Sequence, residues 1–417
     1  TGFTSGLWRP LPLLSFWIEG RLGGWEPWLF HATSVLLHAG SALLVGLLLS
    51  QAGIPRVPAA LAAMWFAAMP AHLETAAWIS GRTDLMCGFF ALFCLWLDRL
   101  ARGAGRAWPG WAASAAFAAA LLSKESAAGW MGVILLAEWA RSRTTPTGRR
   151  EIIFWVAPYA AITVAWLLAH AAASGPGAVP GYVDEALRAR RYLAGWVMLP
   201  QYLAFLWPWY PHASDVPLSL PARSMGWPVL SGAAATVAAL GVAIFLAIRR
   251  SRLAIPAAMV LVPLFPSIVA ALVWAFISSG ERMIFLASAG VAWLVAESLA
   301  LASGRGAIAR RVTWAVALGM VVAGAIETVR LQPMWADDAH VFLGMTDRQP
   351  ENPVGWVGLG EVLTRDGRKV EAKRALMRAA ALAPDLPSVH MARAEVHYRF
   401  GGWEEVVSVA GRALELD

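Results

Sequence analysis

Long apolar runs, closed by short arginine clusters or by Gly and Pro, fill the first 330 residues of the chain. A helix of about 20 mostly apolar residues crosses the hydrocarbon of a bilayer, and fewer suffice where neighbours shield its ends. On that rule the pattern predicts apolar helices over roughly 30–50, 58–80, 84–100, 108–123, 126–141, 151–172, 192–208, 226–249, 253–278, 283–302 and 307–330. Several contain Pro or Gly, which membrane helices tolerate when neighbours re-satisfy the freed backbone groups. From about 331 the apolar runs end, charges become frequent and a helical period takes over. The expected fold class is therefore all-α. A multi-pass transmembrane helical bundle occupies 29–330, after a non-cytoplasmic loop region at 1–28 and before helical repeats at 331–417.

The repeats have a readable register. Gly367 and Gly401 are 34 residues apart, as are Ala379 and Ala413. The first unit, about 353–386, carries Trp356, Leu359, Gly360, Leu363, Gly367, Ala372, Ala379 and Pro384. This is the tetratricopeptide pattern, with small residues where two helices touch and Pro ending the second. The second unit, about 387–417, is looser, with Arg393 and Ala394 where Leu and Gly are usual. Two units are fewer than the three or so needed for independent stability, so more are expected beyond Asp417. Asp337 and Asp338, at the entry to the repeats, are expected to favour a helix N-terminus.

Composition agrees with a bilayer: 58% of residues are hydrophobic and 15% charged, against roughly a quarter charged in soluble proteins. The 23 Trp suit the headgroup boundary. A formal charge of +7 raises nucleic acid as a partner, but the arginines sit in short clusters between apolar runs, as in cytoplasmic loops. No nucleic-acid partner is expected. The clusters are Arg99, Arg102 and Arg106; Arg141, Arg143, Arg149 and Arg150; Arg249, Arg250 and Arg252; and Arg305, Arg310 and Arg311. All should face the cytoplasm, so an even number of crossings must separate any two. The segment 192–208 is short, follows Arg188, Arg190 and Arg191, and ends in the Pro-rich run 207–212, so it reads as an interfacial or re-entrant helix. About ten crossings remain. They place 1–28, the 70–84 loop, 173–225 and the repeats on the non-cytoplasmic side. The Ala/Arg/Gly/Trp-rich composition points to GC-rich bacterial DNA, hence a bacterial inner membrane with periplasmic repeats; in a eukaryote the equivalent is the ER membrane with luminal repeats. Thr1 follows no Met, signal peptide or apolar span, so the chain is expected to begin inside a larger protein.

Candidate chemistry lies at the outer loop ends. Ionisable groups at membrane depth are costly and mark function by default. His72, Glu74, Arg82 and Asp84 cluster within thirteen residues around Gly81. Arg82 suits a phosphate, with a carboxylate to orient it; the plainer reading is a local pair of Arg82 with Asp84 or Glu74. Lys124 and Glu125 interrupt an apolar stretch, as a phosphate contact or a solvated corner. Glu281 and Arg282 follow Ser278, Ser279 and Gly280; being adjacent, they should point to different partners, with Arg282 a second phosphate candidate. Arg9, beside Trp8, is a ligand contact or an interfacial anchor, the anchor being favoured. His31 and His38 share a helix face without a third ligand, so no metal site is expected. Cys87 and Cys94 lie about 10 Å apart along a helix, too far for a disulfide.

The ordered set Trp8-Arg9-Pro10-Leu11, Phe30-His31 with His38, Pro70-x-His72-x-Glu74 through Trp78 to Ser80-Gly81-Arg82-x-Asp84-Leu85, Leu122-Ser123-Lys124-Glu125 and Glu281-Arg282 with Leu286 and Ser288 resembles one family. This is the transmembrane and tetratricopeptide-repeat proteins, whose eukaryotic members are protein O-mannosyltransferases of the GT-C class. The resemblance covers nearly the whole chain. It implies a polyprenyl-phosphate-linked sugar as donor substrate with no tightly bound cofactor, a hydroxyl acceptor outside the cytoplasm, and repeats that present an acceptor protein or peptide. A lipid phosphate must be held near the membrane surface, and the outward-facing Arg82, Arg282, Lys124 and Arg9 are the candidates for that lipid phosphate or donor, with His72, Glu74, Asp84, Glu125 and Glu281 in support. In GT-C enzymes the catalytic acid lies just after the first membrane helix, so it is expected upstream of Thr1. Residues 1–28 hold only Glu19 and Glu26 as acids, and neither is assigned that role. Met69-Pro70-Ala71 replaces the family's His-Pro, and Met283-Ile284-Phe285 with Ala287 replaces its Tyr-Leu-Tyr-Leu-Pro run. The alternative is a non-catalytic scaffold that displays repeats for protein binding.

Overall fold

A computed structural model of the chain describes residues 8–104, 107–141, 149–174, 192–212, 226–274, 280–384 and 386–416. Arg106, Arg143, Arg188, Arg190, Arg191, Ser278 and Ser279, and most of the expected outer segment 173–225, lie outside these. Among the described residues the fold is all-helical, without strands. The helices are α1 (Pro10–Gly23), α2 (Pro27–Gln51), α3 (Arg56–Ala67), α4 (His72–Ala77), α5 (Arg82–Ala104), α6 (Ala107–Ser123), α7 (Trp130–Arg141), α8 (Arg149–Ser174) and α9 (Met198–Ala204). Then come α10 (Trp227–Ile248), α11 (Ala254–Trp274), α12 (Phe285–Ser303), α13 (Ala307–Leu331), α14 (Asp338–Arg348), α15 (Pro353–Arg365), α16 (Lys369–Leu382), α17 (Pro387–Arg399) and α18 (Trp403–Leu416). Pro in the first turn of α1, α2, α10, α15 and α17 helps start those helices, because the missing N–H has no intrahelical partner there anyway.

Among the described residues, five helical segments are long and apolar enough to cross a membrane: Pro27–Gln51, Ile152–Ala173, Trp227–Ile248, Glu281–Ser303 and Ala307–Trp335. Of the other expected crossings, 253–278 falls on the uncharged α11, with 275–278 outside the described residues, and the rest fall on shorter or more charged helices. Two expectations change. The region 1–28 is not all loop, since α1 occupies 10–23. The run 58–80 is not one helix: α3 stops at Ala67, the chain turns through Met69 and Pro70, and α4 plus a 3-10 turn (Ile79–Gly81) lead into α5. Pro70 has no N–H to continue the ladder. Gly81 lets the turn fold back on α4, where a Cβ would stand 2.9 Å from the Thr75 carbonyl oxygen. By contrast, 192–208 holds no long helix among its described residues: a helical stretch at 192–195 and the short α9 are separated by a turn.

The bundle core joins α2, α3, α5, α6, α7 and α12 around Phe66, Phe117, Trp130 and Phe285. Gly290 lets α12 touch the backbone of α11; a Cβ there would meet the Pro256 carbonyl at 2.6 Å. Outward-facing Leu168, Val237, Ile248, Ile308 and Val329 are exposed, as lipid-facing side chains would be. Cys87 and Cys94 are buried free thiols.

Beyond α13 a 3-10 turn (Gln332–Trp335) and the bend Ala336–Asp337 lead into α14. Asp337 caps α14 by accepting the His340 N–H at 2.9 Å. The pairs α15/α16 and α17/α18 are helical hairpins whose turns use Gly367 (φ 78°) and Gly401 (φ 85°), left-handed conformations that favour glycine. Gly360 packs under Leu376, while Ala372 and Ala379 are wholly buried between helices. The hairpins therefore recur in the 34-residue register.

Candidate functional site

At the end of the bundle where α1, α4 and the start of α5 meet, four basic side chains each find a carboxylate far away in sequence. Arg9 donates to both Glu125 oxygens, Nε–H to Oε2 at 2.9 Å and Nη2–H to Oε1 at 2.5 Å. Lys124 Nζ lies 2.6 Å from Asp84 Oδ1. Arg282 donates its backbone N–H to Glu74 Oε2 at 3.0 Å and Nη1–H to Oε1 at 2.5 Å. Arg82 donates to Glu19 Oε2 at 2.5 Å, to Ser15 Oγ at 3.2 Å and to the Phe30 carbonyl at 2.5 Å.

The expected local pairs of Arg82 with Asp84 or Glu74 do not form. Residues two apart at a helix start point to different faces, and each takes a partner from another element. Arg82 is also wholly enclosed: its side chain is 0% exposed, and its Cζ lies 4.6 Å and 5.7 Å from the ring centres of Phe16 and Phe30. It ties α1 and α2 to α5, and a phosphate would have to displace Glu19 to reach it. The side chains of Arg9 and Arg282 are 20% and 23% exposed, while Lys124 is nearly closed off.

Met283 links the remaining groups. Its Sδ is 3.6 Å from Lys124 Nζ and 3.9 Å from Ser267 Oγ. Adjacent Glu281 and Arg282 do point to different partners: Glu281 Oε2 lies 3.1 Å from His212 Nδ1, both side chains buried. Arg282 also lies over the Trp78 ring at 4.9 Å. Burial pushes the Glu74 carboxyl up to about 7, against the pull of Arg282. Burial would likewise raise Glu125, but the bond and charge of Arg9 outweigh it and hold that carboxyl below its ordinary value. His72 is buried, which drives its imidazole well below the usual histidine range. Its Nε2 lies 2.9 Å from Ser288 Oγ, and it packs among His38, Phe66 and Phe285.

Glu19, His212, Ser267 and Ser288 complete these contacts, and none was singled out in the sequence as a site group. Glu19 had one usable signal: it shares a helix face with Ser15, four residues before it, and both turn toward Arg82. His212 lies in the irregular run after α9, where no periodicity marks an inward side chain.

The fold and this buried ionic end define a multi-pass, all-α integral membrane protein followed by helical hairpins. Its curated relatives are protein O-mannosyl-transferases. It is 38% identical over 100 residues to the human protein O-mannosyl-transferase TMTC4, which is 20% of this chain and 13% of that protein. It is 40% identical over 132 residues to Drosophila melanogaster Tmtc2, covering 30% and 14% of the two chains, and 37% identical over 91 residues to human TMTC2, covering 21% and 10%. The matched stretches thus span about an eighth of these relatives' length, and over them the chain is similar to the transmembrane and tetratricopeptide-repeat family. No family model matches the chain. No solved structure matches it either.

Proposed function

We propose that the chain is a GT-C-type membrane glycosyltransferase, moving a sugar from a polyprenyl-phosphate carrier to a protein hydroxyl on the non-cytoplasmic face. The observation that carries this reading is the ionic end itself. Motif residues from segments as far apart as Arg9 and Arg282 converge there, in a chain similar to O-mannosyl-transferases. In the reaction the acceptor oxygen bonds to the sugar's anomeric carbon, the bond from that carbon to the phosphate oxygen breaks, and a carboxylate takes the hydroxyl proton. Negative charge grows on the departing lipid phosphate. The positive charges of the partly exposed Arg9 and Arg282 are suited to meet it, with Glu125 and Glu74 holding them in place. Lys124 adds positive charge between them. The hairpins, in tetratricopeptide register, present the acceptor on the same side, in the periplasm or the ER lumen.

The test is transfer by the purified full-length protein, including the residues upstream of Thr1, in lipid, with a polyprenyl-phosphate mannose donor and mass spectrometry of an acceptor protein. Arg282→Gln is expected to lower transfer by about 10²–10³-fold. Unchanged transfer in a folded Arg282→Gln protein rules out that role. Absence of transfer with every polyprenyl-phosphate sugar tried rejects the enzyme reading.

One observation favours a non-catalytic scaffold: each candidate cation already has a carboxylate partner. On that reading the pairs only hold the fold, and protein capture by the hairpins survives Arg282→Gln.

A further inference from the structure

The opposite end of the bundle, about 20 Å along α5 from Asp84 at 1.5 Å per residue, holds a second group of buried charges that the proposed reaction does not use. Asp98 accepts from Arg102 Nε at 2.6 Å and Nη2 at 2.9 Å, and from the Tyr159 hydroxyl at 3.0 Å. Glu138 pairs with Arg102 and with Arg141. Two carboxylates thus meet two guanidiniums, and this group is neutral.

Arg99 stands outside that balance. It points away from Asp98 toward α2 and α12. Its Cζ lies 5.6 Å from the ring centre of Trp293, and Nη2 reaches the Gln51 carbonyl at a long 3.4 Å. Among the described residues no carboxylate comes within ion-pair distance of it, whereas Arg102 and Arg141 nearby and Arg9, Arg82 and Arg282 at the far end each have one. Its Nε is buried without a hydrogen-bond partner, and so is the indole Nε1 of Trp293 on the facing helix. A guanidinium offers five donors, and this one uses a single weak contact. The two orphaned atoms are enclosed, but the rest of the partly exposed guanidinium carries a charge with no acidic partner among the described residues, which an anion at the surface would balance.

We propose that Arg99 holds the phosphate of an anionic lipid in the cytoplasmic leaflet. The planar fork of arginine suits phosphate oxygens. Gln51 is the last residue of a 25-residue apolar helix, long enough to cross the hydrocarbon, so its carbonyl stands at headgroup depth. The guanidinium is partly exposed there, and Arg56 is exposed at the start of α3 just beyond the turn. Arginine clusters assign this end to the cytoplasm, whose leaflet is rich in anionic lipid. This inference does not rest on the glycosyl-transfer reading.

The experiment compares unfolding midpoints of the full chain in nanodiscs of phosphatidylcholine alone, of phosphatidylcholine with phosphatidylglycerol, and of phosphatidylcholine with inorganic phosphate in the buffer. Phosphatidylglycerol is expected to raise the midpoint. Arg99→Gln should abolish most of that rise, and Arg310→Gln, at an exposed arginine of α13, should keep it. An equal rise in Arg99→Gln overturns the proposal. A rise with inorganic phosphate alone, lost in Arg99→Gln, overturns the lipid assignment in favour of a free-ion site. Should Arg99→Gln fail to fold, Arg99→Lys keeps the charge without the fork. Its phosphatidylglycerol affinity, titrated by native mass spectrometry, is expected to fall about tenfold, and an unchanged affinity refutes the site.

Discussion

How firmly α1 is held depends on the contact between Arg82 and Glu19. The two side chains meet at 2.5 Å with 0% and 10% exposure. An exposed pair of that length would be worth at most about 1 kcal/mol. Removing one partner of a buried pair costs about 3–5 kcal/mol, because the remaining charge is stranded. After Glu19→Ala, Arg82 keeps its bonds to Ser15 and the Phe30 carbonyl, so the expected loss is at the lower end, about 3 kcal/mol. Replacing both charges with apolar groups of similar volume, Glu19→Leu with Arg82→Met, leaves nothing stranded and is expected within about 1 kcal/mol of the parent. Equilibrium unfolding in dodecyl sulfate, followed by tryptophan fluorescence, measures all three proteins. A Glu19→Ala loss below about 0.5 kcal/mol, or a double variant as damaged as the single, would show that this pair is not a buried brace.

Three further expectations concern other parts of the chain. Gly360→Ala brings a Cβ to 2.5 Å from Leu376, so hydrogen exchange in α15 and α16 should report a local loss of about 1–3 kcal/mol; unchanged protection would mean the hairpin packs more loosely than described. Glu125, held below its ordinary value near 4.5 by Arg9, contributes stability above that pH and loses it as pH falls through the depressed value; Glu125→Gln should remove this part of the acid sensitivity, and an identical pH profile would refute it. Cys87 and Cys94, at 2% and 0% exposure, should resist maleimide until the chain is denatured, and prompt labelling of folded protein would contradict their burial.

Much of the helical framework was legible because it rests on short-range signals. Apolar runs, first-turn prolines and the 34-residue spacing of Gly367 and Gly401 mark helices and hairpins without knowledge of the fold. Pro70 carried the break in 58–80 as well, but hydrophobic continuity through Ala77 concealed it. The basic residues of the site were also legible, since an arginine or lysine in an apolar run demands explanation. Their partners were not. Arg82 and Glu19 are 63 residues apart, Lys124 and Asp84 are 40 apart, and Arg282 and Glu74 are 208 apart. Nearer acids competed on paper, Asp84 for Arg82 above all, and helix geometry excluded them only once side-chain directions were known. Arg99 lay in the opposite blind spot. Within an arginine cluster it looked like its neighbours, and only the pairing of Arg102 and Arg141 set it apart.

The short connection from α13 through the 3-10 turn and the two-residue bend Ala336–Asp337 into α14 also has a mechanical consequence. The segment Ala307–Trp335 is 29 residues long, a rod of about 40 Å. It is fastened near its far end where Thr328 Oγ1 donates to the Ala68 carbonyl at 3.2 Å and Arg348 approaches Glu327 at 3.7 Å. Only the bend Ala336–Asp337 separates that rod from α14, and Asp337 is tied to the helix start by the His340 N–H. Over so short a connection the hairpins stay near the bundle, so a polypeptide held by them would be presented to the ionic end at nearly one distance, like a mark on a ruler.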